Sequence, residues 1–223
     1  MLGIVGGTSL LFSDLPELRK RQVHTPFGNA ELFCGDIVML MRHQQGLPPH
    51  RINHRANMAA LAIEGVDRIV AFGSSGSLNP KITPGSLVIP TDYVSMTDIP
   101  SIHDHAIEHV LPVLSAGLSQ KLASHIPEAR HCGVYVQTTG PRFETVAEIR
   151  ALSRVADLVG MTLASEATLA GELGMDFTAL CTVDNYANGL AEGVLTFDEI
   201  LEISRSYRHR TNEILSMIIR HMA

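Results

Sequence analysis

Runs of unbroken apolar residues, many of them β-branched, recur along this chain and alternate with stretches whose apolar residues return at helical spacing. The runs are Gly3–Val5, Ile37–Met41, Arg68–Phe72, Ser86–Pro90, Gly133–Gln137, Asp157–Gly160 and Phe177–Val183. A strand that is apolar throughout, rather than at every second position, belongs to a sheet covered on both faces. Between the runs, Asn53–Glu64 reads as a helix stopped by Gly65. Thr145–Val155 and Glu166–Leu173 read as two more, the latter ending at Gly174. A long helix is predicted from Thr196 onward, its entry marked by the capping-box spacing Thr196-x-x-Glu199. Strands alternating with helices specify an α/β layer fold. No Ser/Gly linker, charge run or low-complexity stretch divides the 223 residues, so a single domain over 1–223 is expected.

Charge and apolar run length remove several classes of function. A formal net charge of -6 argues against nucleic acid as a partner, because phosphate backbones are gripped by clustered Lys and Arg. No window approaches the roughly 20 apolar residues that span a bilayer, so no membrane partner is expected. The opening MLGIVGGTSLLF lacks a basic n-region and is broken by Gly6, Gly7 and Thr8, unlike a signal peptide. Cys34, Cys132 and Cys181 lie in apolar sequence without C-x-x-C spacing, as reduced core thiols of a cytoplasmic protein do.

In open α/β sheets ligands collect where strands end and loops begin. Five such junctions carry small or polar residues: Gly6-Gly7-Thr8, Arg42-His43, Gly73-Ser74-Ser75-Gly76-Ser77, Gly160-Met161-Thr162 and Asp184-Asn185-Tyr186. The first can form a nest of N–H groups for an oxyanion, with the Thr8 hydroxyl added, or can be a plain tight turn. Arg42 beside His43 suits a doubly charged tetrahedral anion, or is a solvated arginine at a strand end. The serines and Thr162 add hydroxyls and N–H groups, although Thr162 can equally be a helix N-cap. Recurrence at successive strand ends points to one shared oxyanion site. No G-x-x-x-x-G-K-[ST] or G-x-G-x-x-G is present, which argues against Mg²⁺-dependent NTP hydrolysis and against a dinucleotide site.

The segments GIVGGTSL, RHQQGLPPHRINHRAN, GSLNPKITPGSLVIPTDYV, GVYVQTTGPRFETVAEIR, DLVGMTLASEATLAGELGM and DNYANGL follow one another across nearly the whole chain. In kind and order they resemble the trimeric nucleoside phosphorylases, most closely the methylthioadenosine/methylthioinosine phosphorylase branch. GPRFET-x-AEIR and GMT are the most specific blocks. The resemblance implies a single α/β domain with a mixed, barrel-like central sheet flanked by helices, and a homotrimer with active sites at subunit interfaces. It implies a phosphate site of Thr8, Arg42, His43, Ser74 and Thr162, with Met161 under the ribose. His109 matches a histidine lent to the ribose end of the pocket by the neighbouring subunit, and is otherwise a surface histidine.

The base is read at its edge, where donor and acceptor types must match. A 6-oxopurine offers N1–H as donor and O6 and N7 as acceptors; an ionised Glu only accepts, and an Asn amide does both. The resemblance aligns Glu144 with one base-reading position and Asn185 with the other, with Tyr186 and Ala187 as further substrate contacts. Adenosine-type members have a small hydroxyl residue and an Asp there, so Glu144 with Asn185 is the 6-oxopurine pattern. A shift of one residue, to Asp184, would favour adenine, and Glu144 can also be read as a first-turn helix carboxylate. At the sugar's 5′ end, Phe197 stands where inosine/guanosine-type members have a histidine. A phenyl ring packs a methylthio group but cannot hydrogen-bond a hydroxyl, which points to 5′-methylthioinosine; a helix-start core residue is the other reading.

Three departures from the family pattern stand out. Gln44-Gln45-Gly46 replaces a histidine expected after the Arg-His pair, the loop at 97–105 is short, and Ser165 stands where a proline usually precedes Glu166. The implied reaction is phosphorolysis of a purine nucleoside. Phosphate is co-substrate, Asn185, Glu144 and His43 are the catalytic groups, and no metal or organic cofactor takes part. The rival readings are a 5′-methylthioadenosine phosphorylase, a non-catalytic nucleoside-binding homologue, a nucleosidase in which water replaces phosphate, and a metal site at His103-Asp104-His105 with His109.

Overall fold

All five residues of β1 (Leu2–Gly6) are buried, which makes this short run the middle of a sheet. The computed structural model describes residues 1–191 and 196–223, and the side chain of Phe197 is also outside the described set. After β1, β2 (Arg19–Thr25) and β3 (Gly28–Cys34) form an antiparallel hairpin, and β3 turns back onto β4 (Val38–Met41). Strand β4 lies parallel to β1, with Ile4 opposite Met39. On the other side of β1 runs β5 (Arg68–Ser77), also parallel.

Strand β5 is the hub. Its first half pairs with β1, its last two residues pair antiparallel with β10 (Leu158–Gly160), and most of its length runs parallel to β11 (Asp176–Tyr186). Beyond β10 the sheet continues through β9 (Val134–Gln137) to β7 (Asp92–Ser95). Strand β11 carries a branch through β6 (Leu87–Ile89) to β8 (Ala129–His131). The result is one mixed sheet of 11 strands with open ends at β2, β7 and β8, so the barrel-like sheet expected from resemblance is not closed.

Side chains alternate between two cores, which is why continuous apolar runs were needed. Val5, Ile69, Ala71 and Ala179 face one cluster; Ile4, Val70, Phe72 and Leu180 face the other. Helices α1 (His54–Ile63) and α4 (Leu163–Glu172) cover the first face with Met58, Leu61, Leu163 and Leu169. Helices α2 (Ala116–His125) and α6 (Arg208–Met222) cover the second with Leu118, Leu122, Ile214 and Ile218. A third cluster seats α3 (Val146–Leu152) on Leu78, Val136 and Val159.

Several expectations need correction. The predicted strand Arg68–Phe72 extends to Ser77: GSSGS is expected as the junction where the strand ends, but pairing on both sides holds it extended. Strands β2, β3, β7 and β8 and helix α2 had no apolar run to reveal them; β2, for instance, buries only Val23. The single long helix after Thr196 is two, α5 (Phe197–Ser206) and α6, separated at Tyr207, and the Thr196–Glu199 capping box is formed as expected. Cys132 is exposed rather than a core thiol, while Cys34 is half-buried and Cys181 buried. Among the described residues no helix is long and apolar enough to cross a membrane.

Candidate active site

Gly7 follows β1 and lies against the two cationic side chains that close β4. A Cβ added there would stand 2.5 Å from Arg42 Nη1 and 3.4 Å from His43 Cδ2, so the glycine backbone, the guanidinium and one imidazole edge are in contact. The main chain makes the same join, since the Arg42 N–H donates to the Gly6 carbonyl at 2.8 Å. Sequence separated these residues by a hairpin, and the β1–β4 pairing brings them together.

Arg42 is not solvated. Its residue is 2 % exposed and its fork is held by Glu166 of α4, Nε to Oε1 at 2.6 Å and Nη2 to Oε2 at 3.0 Å, while Nη1 donates to the Phe72 carbonyl at 2.8 Å. A guanidinium carries five N–H donors. These bonds leave one N–H on each Nη, on the Gly7 side in the case of Nη1. Glu166 was a landmark in the sequence rather than a site residue. The signal for it was there: it is the one charge in the buried helical stretch Leu163–Ala170, and a carboxylate in such a place needs a cation.

The other residues expected at the anion site follow. His43 Nδ1 lies 2.8 Å from the Leu47 carbonyl, which only accepts, so Nδ1 carries the proton and Nε2 is left open beside Cδ2. Burial lowers the His43 pKa, favouring the neutral ring. Thr162 occupies the N-cap position of α4, yet its side chain does not cap the helix and its hydroxyl has no partner among the described residues. The Thr162 N–H donates to the Tyr135 hydroxyl at 3.4 Å and the Ser165 N–H to Gln137 Oε1 at 3.0 Å, so the start of α4 is satisfied from within. Thr8 opens a short 3-10 turn, half-exposed, with its carbonyl accepting from the Ser204 hydroxyl at 2.8 Å.

The serine-rich junction is altered by lying inside β5. The Ser75 and Ser77 hydroxyls are spent on the carbonyls of Thr182 and Asn79. Ser74 donates its hydroxyl to Asp184 Oδ2, and can give that proton to an oxyanion only by releasing Asp184. Asp184 is the extra residue of a β-bulge in β11, between Val183 and Asn185, and is 3 % exposed. Burial pushes its carboxyl up to about 6. An acid with a folded pKa above its unfolded 3.8 contributes stability that is complete below pH 3.8 and lost as pH rises through 6. Asp184→Asn keeps an acceptor for Ser74 and removes the charge. It is expected to stabilise the protein by on the order of 2–3 kcal/mol at pH 8 and negligibly at pH 4. Urea unfolding at both values checks this; an equal change at both would contradict it.

At the other end of the site, GPRFET meets GMT. A Cβ on Gly140, which has φ +65°, would collide with Met161 Sδ, so the thioether packs directly on that loop. Glu144 is 8 % exposed; its Oε1 accepts from the Thr138 hydroxyl at 2.5 Å and its main-chain carbonyl from Asn188 Nδ2 at 3.0 Å. Asn185 is half-buried beside Gly76, and its Nδ2 donates to the Tyr186 carbonyl at 2.7 Å, leaving one N–H and Oδ1 for a ligand.

A family model described as Phosphorylase superfamily matches residues 1–220. The chain belongs to that superfamily. This phosphorylase is 39 % identical over 216 residues to a probable 6-oxopurine nucleoside phosphorylase of Archaeoglobus fulgidus, covering 91 % of this chain and 88 % of the relative. It is 36 % identical to a probable S-methyl-5′-thioinosine phosphorylase of Methanocaldococcus jannaschii, covering 98 % and 90 %. Among solved structures it superposes on a methylthioadenosine phosphorylase of Schistosoma mansoni in complex with adenine, with TM-score 0.88, 27 % identity, and 98 % and 90 % of the two chains covered.

The remaining substrate-contact expectations have the following places in the phosphorylase. Ala187 is 3 % exposed and packs in the third apolar cluster. The Tyr186 hydroxyl donates to the Pro80 carbonyl at 3.4 Å. Phe197 begins α5, and its side chain lies outside the described residues. His109 is exposed; its neighbour Val110 lies against Gly171, near the end of α4 away from Thr162, roughly 13 Å along the helix axis. The short loop is tied to that same end, where Glu172 accepts from the Ser101 hydroxyl and the Ile102 N–H. Asp104, offered as a metal ligand, is bonded to Arg55 at 2.7 Å.

Proposed function

We propose that this enzyme is a purine nucleoside phosphorylase selective for 6-oxopurine nucleosides. It releases the free base and a (5-methylthio)ribose 1-phosphate, with inorganic phosphate as co-substrate and no metal or organic cofactor. The observation that carries the reading is Glu144: one carboxylate oxygen is engaged by Thr138, and the other has no partner among the described residues. Such an oxygen accepts from N1–H of a 6-oxopurine and finds no donor on N1 of adenine. The relatives named for 6-oxopurine nucleosides and for methylthioinosine support it. An adenine-reading Asp184 fits less well, because that carboxylate is buried and bonded to Ser74, whereas Asn185 beside it keeps an N–H for N7 or O6.

Phosphate held by the free N–H groups of Arg42, the Gly7 backbone, Thr8 and the Thr162 hydroxyl, with its remaining P–OH donating to His43 Nε2 and with Ser74 joining once it releases Asp184, sits below C1′ of the ribose, which rests on Met161. As the glycosidic bond breaks, the dianion stabilises the oxocarbenium-like sugar, and Asn185 and Glu144 stabilise the electron-rich purine. The enzyme mainly orients two bound reactants, so proximity supplies much of the rate. A homotrimer is part of this reading. Ile107, Leu111 and Val113, flanking His109, are 93 %, 82 % and 67 % exposed in the single chain, as suits a stretch covered by a neighbouring subunit. The unpaired cysteines fit work in the cytoplasm. The methylthio preference rests on Phe197 in the sequence and on the named relative.

The test is free-base release from 5′-methylthioinosine, 5′-methylthioadenosine, inosine and guanosine, each with and without phosphate. Phosphate-dependent hypoxanthine release, fastest from methylthioinosine, is expected. Fastest release of adenine would overturn the base assignment, and release without phosphate would overturn phosphorolysis.

A further inference from the structure

Glu144 is held at two points by residues from two different loops, and neither has a role so far. Thr138 follows β9, and its own N–H is fixed by the Gly160 carbonyl at 2.9 Å, so the hydroxyl is delivered from a backbone anchored to the strand that leads to Met161. Its Oγ1 donates to Oε1 of Glu144 at 2.5 Å. From the opposite side Asn188, three residues beyond Asn185, donates Nδ2 to the Glu144 carbonyl oxygen at 3.0 Å. Gly189, with φ +81°, then packs on Val146 of α3, and a Cβ there would stand 2.8 Å from Val146 Cγ2. The two base-reading side chains thus share one short framework.

We infer that Thr138 is a positioning residue that sets base selectivity by fixing which oxygen of Glu144 faces the purine. The inference rests on the 6-oxopurine reading of Glu144. A carboxyl group can serve either base: ionised, it accepts from N1–H of hypoxanthine; protonated and rotated, it donates to N1 of adenine. A hydroxyl donor on Oε1 holds the carboxylate plane, leaving Oε2 as a pure acceptor. Asn188 contributes by holding the backbone from which that side chain projects. Without the Thr138 hydroxyl, Glu144 is free to turn, and neither of its oxygens is held toward the purine N1–H.

The test compares Thr138→Val, Thr138→Ser and Glu144→Ala with the unaltered enzyme, using inosine and adenosine at saturating phosphate. Thr138→Val keeps shape and removes the hydroxyl. It is expected to lower kcat/KM for inosine about tenfold while leaving adenosine unchanged or raised, so the inosine/adenosine ratio falls; Thr138→Ser restores the ratio. A loss of folding would lower both substrates together, and thermal melts identify it in either variant. If Glu144→Ala collapses the ratio but Thr138→Val leaves it unchanged or lowers both substrates equally, the positioning role is wrong and the reading of Glu144 stands. If Glu144→Ala itself leaves the ratio unchanged, the reading of Glu144 fails, and the role of Thr138 with it.

Discussion

Glu166→Ala is expected to unfold this protein far more readily than any change to a surface carboxylate. The Arg42 and Glu166 side chains are 3 % and 2 % exposed, and the alanine leaves a guanidinium buried without its counter-charge. Breaking a buried pair from one side costs about 3–5 kcal/mol, a fall in Tm of roughly 6–20 °C for a chain of this length. Differential scanning calorimetry measures it, and a Tm within about 2 °C of the unaltered protein would refute the burial argument. The functional share is separated by replacing both partners. Arg42→Met with Glu166→Leu removes the charges together, so much of the stability returns. Phosphate use does not return, because the free N–H groups of Arg42 have gone with the guanidinium.

Asn185→Ala carries the second large effect. The purine leaves with electron density on its ring, and Asn185 is the half-buried side chain with an uncommitted N–H at that end of the site. Removing a donor aimed at developing charge lowers kcat by about 10²–10³, and kcat/KM for inosine is expected to fall by the same factor. KM for phosphate is expected to stay within about twofold, since no anion-site group is touched. Steady-state kinetics with each reactant varied in turn checks both statements. An unchanged kcat/KM would remove Asn185 from the mechanism and return attention to Asp184.

The residues that make the site were legible in proportion to how local their cause is. Strand ends could be read because an apolar run stops where the sheet does, and the capping box at Thr196–Glu199 formed because its partners are three residues apart. Arg42 and His43 were identified for their charge, but not the use of half the Arg42 fork by Glu166, since that contact spans 124 positions. The course of GSSGS was hidden for the same reason. As a local sequence it reads as the junction where a strand ends; paired between β11 and β10 it is strand, and two of the hydroxyls go to neighbouring carbonyls. The bulge that separates Asp184 from Asn185 had no local sign, and only the register against β5 tells the two apart. Polar strands such as β2 were missed because hairpin pairing, rather than hydrophobic burial, holds them.

The Ser204 hydroxyl that fixes the Thr8 carbonyl joins positions 196 residues apart. During synthesis the N-terminal half of that contact leaves the ribosome long before the other. At about 5–20 residues per second, the glycine turn waits roughly 10–40 s for its partner. Strand β5 waits about half as long for β11, which pairs with it over most of its length. A nascent chain therefore exposes an unfinished sheet edge through about half of translation, and gains the tie between Ser204 and Thr8 as one of the last events of its biogenesis. Chaperone dependence and codon usage near the end of the message should matter more to the yield of this enzyme than its size suggests.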